Sequence, residues 1–222
     1  MRKKKLALIH TVNWYNTVIN KPFGEPWLQQ HPDVEIFNLM DDSLLVEALA
    51  NGGPTKQVIR RMLYYFQAAE AMGADVIMST CTTMGPATEI AKQFVGIPVF
   101  NIDEPMAEEA VAAGSRIGII ATVPTSAPAT QRVLRQAAAA AGKEITIKTV
   151  INEAAFQYRL AGNIKQHDKL IHAELDKLQR EVDVIALGQI SLAQVLFKAN
   201  VPVLQVGDSG FAYAGALLKA VK

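Results

Sequence analysis

The residue best suited to acid/base or nucleophilic chemistry is Cys81, the only cysteine of this 222-residue chain. It follows the apolar run Ala74 to Met78, within the sequence Ser79-Thr80-Cys81-Thr82-Thr83-Met84-Gly85-Pro86. Hydroxyl residues and a Gly-Pro pair after an apolar run predict a strand, a tight loop and a helix start, where α/β proteins bind ligands. Free N–H groups at a helix start favour anions and the thiolate form of a cysteine. The alternative is a buried, inert cysteine, a common environment for this residue.

Other polar side chains lie next to Cys81 or follow the first predicted strand, where they could contact a ligand. The hydroxyls of Thr82 and Thr83 are candidates to hold a carboxylate or an oxyanion, although N-cap and loop roles suit them equally. His10 and Asn13 follow the first apolar run. We consider His10 as a general base or ligand contact and Asn13 as a polar ligand contact. A hydrogen-bonded core histidine is the commoner fate for His10. His167 and His172 lie on a charged helix and are expected to face solvent.

The composition excludes several classes of protein. Half of the residues are hydrophobic and 19% are charged, which is typical of a compact α/β protein. A net charge of +1 gives no electrostatic reason to expect nucleic acid or a membrane as a partner. A single cysteine and scattered histidines offer no metal-binding spacing, so no metal is expected. One cysteine forms no internal disulfide, and no apolar stretch is long enough for a signal peptide or a membrane span, so a cytoplasmic location is predicted.

Strand and helix patterns alternate along the chain, as in β-α-β units of a parallel sheet. An amphipathic helix is predicted from Lys56 to Met72, with Thr55 as its N-cap. The predicted strands are Leu6 to Ile9, Val34 to Met40, Ala74 to Met78, Ile97 to Ile102, Glu144 to Ile151 and Val201 to Leu204. Two further stretches, Arg116 to Thr125 and Val182 to Gln189, match the strand-and-loop stretches Lys5 to Asn13 and Ala74 to Cys81.

The second half of the chain repeats the first. The stretch Val182 to Gln189 aligns without a gap with Ala74 to Cys81, and both copies contain Asp-Val-Ile. The pair Thr11-Val12 corresponds to Thr122-Val123 in the same way. We therefore predict two similar α/β lobes, residues 1–105 carrying Cys81 and residues 106–222 carrying Gln189, related by a pseudo-twofold duplication. The last helix is expected to pack back on the first lobe. Parallel strands would then bring Cys81 and Gln189 into one cleft between the lobes.

With its duplicated halves, Cys81-Thr82-Thr83 in one and Leu187-Gly188-Gln189 in the other, the chain resembles the aspartate/glutamate/hydantoin racemase superfamily. The resemblance implies a cofactor-independent enzyme in which two cysteines face the α-carbon of the substrate and exchange its proton. Cys81 matches the first cysteine, and Thr122 and Thr125 match a segment that binds the substrate carboxylate. Gln189 stands where the family usually has the second cysteine. The resemblance also suggests a homo-oligomer.

This substitution leaves the reaction open. Two-base racemisation needs a titratable group on each face, and an amide has none in the accessible range. Four alternatives follow: protonation by a single thiol after decarboxylation, thiol addition to a double bond as in maleate isomerases, a second base such as His10, or binding without turnover. The prediction is an enzyme that acts next to the carboxylate of a small acid or amino-acid derivative, with Cys81 as acid/base and Gln189 as a polar contact.

Overall fold

The computed structural model describes residues 2–221, which form parallel sheets flanked by helices. The chain folds into two compact units: the first runs up to Ile102 and resumes at Gly207, and the second spans Asp103–Val206. Each unit contains one four-stranded sheet in which every neighbouring pair of strands is parallel. The predicted fold class, α/β with two similar parallel-sheet lobes, is thereby confirmed.

The first sheet has the strand order β2-β1-β3-β4. Its strands are β1 (Lys4–His10), β2 (Val34–Met40), β3 (Val76–Ser79) and β4 (Val99–Asn101). In the central pair, Leu6 is opposite Val76 and Ile9 is opposite Ser79. Ser79 therefore ends a central strand, and the loop with Cys81 leaves the sheet at its carboxyl edge.

Helices connect the strands of this sheet. They are α1 (Glu25–Gln30), α2 (Ser43–Ala50), α3 (Lys56–Ala71) and α4 (Gly85–Ala91), with a π-helical segment at Asn16–Gly24 and 3-10 segments at Thr82–Met84 and Lys92–Phe94. The N-cap predicted for α3 is confirmed, since the Thr55 hydroxyl accepts a hydrogen bond from the Val58 N–H at 3.1 Å. The α3 residues Val58, Met62 and Phe66 recur at helical spacing and are buried in the core of the first unit.

The second sheet repeats the topology, with the order β6-β5-β7-β8. Its strands are β5 (Arg116–Ala121), β6 (Thr146–Ile151), β7 (Val184–Leu187) and β8 (Val203–Gln205). In the central pair, Ile117 is opposite Val184, as Leu6 is opposite Val76 in the first unit. The helices are α5 (Glu104–Ala113), α6 (Ser126–Ala140), α7 (Glu153–Leu160) and α8 (Ile164–Leu178). A short 3-10 segment, Ile190–Leu192, follows β7.

The last helix, α9 (Val206–Ala220), contributes most of its length to the first unit. The Lys4 ammonium group at the start of β1 donates hydrogen bonds to the carbonyls of Leu218 and Val221, at 2.6 and 2.9 Å. The Tyr213 ring packs edge-on against Phe100, with ring centroids 5.0 Å apart. A cation at carbonyls of the last helical turn also complements the negative end of the helix dipole.

Each unit anchors its central strands through an aspartate. Asp75 accepts hydrogen bonds from the Lys5 N–H at 2.8 Å and from the Arg2 guanidinium at 2.6 and 2.7 Å. Asp183 accepts in the same way from the backbone and side chain of Arg116. The two carboxylates thus tie the start of one central strand to the start of its neighbour.

One helix was not predicted from the sequence, and one expectation about a histidine is wrong. Helix α2 was not predicted, although Leu44 and Ala48 stand four residues apart and are buried. His167 is fully buried rather than solvent-facing, because it lies on the apolar face of α8 with Ile171 and Leu175. Within residues 2–221, no helix is both long and apolar enough to span a membrane.

Candidate functional site

Cys81 lies where the sequence predicted, between a buried strand and a helix. It is half-buried with an extended backbone (φ −121°, ψ 113°), directly before the 3-10 segment Thr82–Met84 and helix α4. The Met84 N–H donates to the Cys81 carbonyl at 2.9 Å, which closes the first turn of that segment. Pro86 lies in the first turn of α4, where its missing N–H costs nothing. The strand, tight loop and helix start are therefore confirmed.

Buried hydroxyl groups lie before and after Cys81 in the sequence and at the end of the neighbouring strand β1. The side-chain oxygens of Thr11, Ser79 and Thr82 are buried and have no hydrogen-bond partner among residues 2–221. Thr11 follows β1 and the other two flank Cys81, so all three lie at the carboxyl end of neighbouring strands. Leaving a buried hydroxyl unpaired costs about 1 to 3 kcal/mol. A ligand or water molecule that bonds these groups would remove that cost.

His10 is completely buried, and both of its ring nitrogens are engaged. Nδ1 lies 2.9 Å from the Thr80 hydroxyl and Nε2 lies 2.7 Å from the Asn38 side-chain oxygen, while the Tyr15 ring stacks on the imidazole at 4.2 Å. Burial lowers the pKa of His10 to about 4, and the hydrogen bond to Asn38 only partly opposes this shift. The ring is therefore neutral near pH 7 and supports Thr80, the residue before Cys81. A role for His10 as second base or ligand contact stays a prediction.

Asn13 lies in the exposed loop after β1 and donates a hydrogen bond to the Asp42 carboxylate at 3.2 Å. Its proposed contact with a ligand stays a prediction. Thr83 is buried beside Thr82 in the 3-10 segment.

A charged cluster at the end of β2 was missed by the sequence analysis. Asp41 pairs with the Arg61 guanidinium and accepts a hydrogen bond from the Tyr65 hydroxyl at 2.7 Å. Burial acts to raise the pKa of Asp41, but hydrogen bonds from Ser43, Tyr65 and Arg61 outweigh it and lower that pKa. Arg61 also approaches Glu47 at 3.7 Å, so its charge is balanced inside the protein. The four-residue spacing of Arg61 and Tyr65 on α3 was the available signal.

In the second unit, Gln189 follows β7 and Gly188, and its side chain turns towards the loop after β5. Its Oε1 accepts three hydrogen bonds: from the Thr122 N–H at 2.5 Å, from the Thr122 hydroxyl at 3.0 Å and from the Val123 N–H at 3.1 Å. Two of these donors are backbone N–H groups, so only the amide oxygen fits there and the orientation of the carboxamide is defined. The donors predicted to hold a substrate carboxylate on Thr122 are therefore occupied by Gln189.

Thr125 is the N-cap residue of α6 and is half-buried, and its side chain does not cap the helix. The next residue, Ser126, is the first of α6, and its hydroxyl donates a hydrogen bond to the Val123 carbonyl at 2.8 Å. Thr125 as a contact to a substrate carboxylate stays a prediction.

The registers of the two sheets relate these residues. Val76 and Val184 occupy equivalent positions, opposite the first paired residue of the central strand in their own sheets. Cys81 lies five residues after Val76, and Gln189 lies five residues after Val184. By the same register, Thr11 corresponds to Thr122. The Thr80 N–H donates to the Ile9 carbonyl at 3.0 Å, and the Gly188 N–H donates to the Ile120 carbonyl at 2.9 Å. The amide of Gln189 thus occupies in its own unit the position that the thiol occupies in the other.

The profile of the family described as Asp/Glu/Hydantoin racemase matches residues 25–214. The chain belongs to this family. Membership supports a racemase- or isomerase-type enzyme and implies a small-molecule carboxylate substrate. Within residues 2–221, no group of three or more His, Cys, Asp or Glu side chains is arranged to hold a metal ion.

Solved structures share the fold over nearly the whole chain. An aspartate racemase from Picrophilus torridus is 18% identical, with a TM-score of 0.69 over 98% of this chain and 94% of that one. An aspartate racemase homologue from Pyrococcus horikoshii OT3 is 16% identical, with a TM-score of 0.73 over 97% and 99%. An allantoin racemase from Klebsiella pneumoniae is 16% identical, with a TM-score of 0.72 over 98% and 89%. A search of curated proteins found no match.

Proposed function

We propose that this family member is a cofactor-independent enzyme that acts at the carbon next to the carboxylate of a small acid, with Cys81 as acid/base. The observation that carries the proposal is the half-buried thiol between buried hydroxyls that have no partner among the residues described, Ser79 and Thr82, with Thr11 on the adjacent strand end. A thiol supplies the titratable group, and the hydroxyls supply donors for an oxyanion.

In the proposed reaction, the Cys81 thiolate removes the α-proton of the acid. The electron pair of the broken C–H bond moves into the carboxylate to form an enediolate, whose oxygens accept hydrogen bonds from the hydroxyls of Thr82 and Ser79. Return of a proton from the Cys81 thiol restores the acid with its α-hydrogen exchanged for one from solvent, whereas inversion of the centre requires a second proton donor, for which His10 is the candidate. Thr83, Thr125 and Asn13 are retained as candidate contacts to the substrate.

Decarboxylation is the second candidate, and the amide at position 189 favours it over two-base racemisation. A carbon–carbon bond breaks, CO₂ leaves, and the electron pair again forms an enediolate. The Cys81 thiol then protonates the carbon from one side, so no second titratable group is required. A cis-trans isomerase is a related alternative, in which the thiolate adds to a double bond and is expelled after rotation. A protein that binds a small carboxylate without turnover is the alternative outside enzymes.

The experiment is incubation with candidate acids in deuterated water. The panel contains aspartate and glutamate for proton exchange, phenylmalonate for CO₂ release and maleate for isomerisation. Turnover should occur with at least one acid and fall by at least roughly a thousandfold in Cys81→Ser, because a hydroxyl is a far weaker acid/base at neutral pH. Thr80→Ser, which retains a hydroxyl beside His10, is the control and should keep most of the activity.

Two outcomes would contradict the proposal. Turnover that persists in Cys81→Ser would remove the thiol from the chemistry. Tight binding of these acids with no exchange, CO₂ release or isomerisation would favour the binding protein. A cytoplasmic location and a homo-oligomer stay predictions, and a reducing compartment would keep Cys81 as a thiol.

A further inference from the structure

We propose that Gln189 is a fixed hydrogen-bond donor that binds an oxygen of the substrate through its Nε2 group, with Thr122 and Val123 as the residues that position it. The inference rests on the proposed function and specifies which substrate group the second unit recognises. It also removes Thr122 from the set of direct substrate contacts.

The amide oxygen of Gln189 is saturated with hydrogen bonds. A carbonyl oxygen has two lone pairs, and Oε1 of Gln189 already accepts from three donors at 2.5 to 3.1 Å. Thr122, which supplies two of those donors, is 1% exposed. The oxygen is therefore unavailable to a ligand, and the plane of the carboxamide is held in one orientation.

The nitrogen of the same amide is in a different situation from the oxygen. Nε2 carries two N–H groups, and neither donates a hydrogen bond to any residue of the described chain from 2 to 221. The side chain is half-buried, and its Oε1, not its Nε2, contacts Thr122. Gln189 therefore presents a donor pair where the other unit presents the thiol of Cys81.

The choice between two ways of binding an acid follows from these bonds. A carboxylate that bound at Thr122 and Val123 would first have to displace three hydrogen bonds and turn the Gln189 side chain away. A carboxylate or enediolate that binds at Nε2 keeps those bonds and adds a charge-assisted one. The geometry therefore favours a substrate oxygen at Nε2.

The hydrogen bonds of Gln189 restrict the class of substrate group that it can bind. With Oε1 saturated, Gln189 has no acceptor to offer an ammonium group, and its Nε2 requires an acceptor on the ligand. The group bound at Gln189 is thus a carboxylate, carbonyl or enediolate oxygen. A second carboxylate on the substrate suits this position, as in a dicarboxylic acid.

Nuclear magnetic resonance tests the donor directly. In ¹⁵N-labelled Cys81→Ser protein, which prevents turnover, the Gln189 side-chain NH₂ signals are assigned by their loss in the Cys81→Ser, Gln189→Ala double variant. Titration with malonate should shift these signals, and the affinity for malonate, measured by calorimetry, should fall roughly tenfold or more in the double variant. Thr122→Val, which keeps both backbone donors, should weaken binding only a few-fold.

The proposal is overturned if malonate, acetate and succinate all leave the Gln189 NH₂ signals unmoved. It is also overturned if Gln189→Ala binds malonate as well as or more tightly than the parent protein, since the acid would then bind at Thr122 itself. If Gln189→Ala fails to fold, Gln189→Glu keeps the shape and replaces the donor by a charged oxygen, and it should lose malonate binding. The proposed function has its own test: unmoved signals alongside turnover that depends on Cys81 reject only this inference, and moved signals without turnover of any acid reject only the function.

Discussion

The two units share a scaffold and differ in what they place at the carboxyl end of their third strand. Strand order, parallel pairing, the register of the central strands and the aspartate anchors Asp75 and Asp183 are the same. In the first unit, Cys81 lies beside buried hydroxyls without partners among residues 2–221, including Thr11. In the second unit, the matched Thr122 binds the matched Gln189. The first unit offers a titratable group, whereas in the second unit Gln189 Oε1 occupies the donors of Thr122 and Val123.

The residues that support the Cys81 loop and the Gln189 loop also differ between the two units. In the first unit, His10 ends β1 and contacts Thr80, the residue before the thiol. At the corresponding positions the second unit has Ala121 and Gly188, and a Cβ on Gly188 would lie 3.1 Å from the Thr130 hydroxyl. A buried polar network thus supports the Cys81 loop, whereas close packing supports the Gln189 loop. The Gln189 amide is also held by its own hydrogen bonds from Thr122 and Val123.

The largest expected effect comes from making the second unit resemble the first. Wild-type protein should exchange the α-proton of only one enantiomer of a turned-over amino acid and should not interconvert the two, because Gln189 transfers no proton. Gln189→Cys adds a titratable group at the matched position and should introduce interconversion, measured by chiral chromatography. Gln189→Ser is the control of similar size and should not.

Interconversion by the wild-type protein would mean that another residue supplies the second proton. In that case His10→Asn separates the alternatives. Loss of interconversion in that variant would assign the second proton to His10, and its persistence would exclude this histidine.

The next effect is on stability as a function of pH, and it is specific to the first unit. The pKa of His10 is about 4 in the folded protein, below its ordinary value of 6.5, so the unfolded chain binds a proton that the folded chain does not. Stability that is present above pH 6.5 should therefore be lost as the pH falls towards 4, by up to roughly 3 kcal/mol. Chemical unfolding between these pH values should show a shallower loss in His10→Asn. Equal slopes in the two proteins would contradict this account.

The smallest effect compares the two aspartate anchors. Asp75 is 5% exposed and Asp183 is 32% exposed, although both bind a backbone N–H and an arginine. Asp75→Asn should lower the free energy of unfolding by about 1 to 3 kcal/mol, because it weakens hydrogen bonds to a buried carboxylate. Asp183→Asn should lower it less, because water screens an exposed ion pair. Thermal unfolding of both variants checks the order, and a larger loss for Asp183→Asn would contradict it.

Much of the fold could be predicted from local pattern. Apolar runs located the central strands, such as Leu6 to Ile9, because buried strands of a parallel sheet have continuous apolar sequences. The edge strand Val34 to Met40 was predicted with its full extent. The repeat of Asp-Val-Ile predicted that Cys81 and Gln189 lie at matched positions, since strands of equal register end at the same edge of a sheet. The burial of His167 was missed because charged neighbours on α8 obscured the apolar residues at helical spacing. Helix α2 was missed although only one of its residues, Glu47, is charged.

The sequence by itself determined the scaffold and the position of the thiol, because hydrophobic periodicity and turn residues act over a few neighbouring positions. Only the tertiary structure decided what the polar groups around it do. Whether Thr122 binds a ligand or Gln189, and whether His10 is exposed or bonded to Thr80 and Asn38, depends on contacts between residues far apart in the chain. The local sequence around a hydroxyl or an amide is the same whether the group binds a ligand or another residue, because its hydrogen-bond partner is set by the packing of strands and loops.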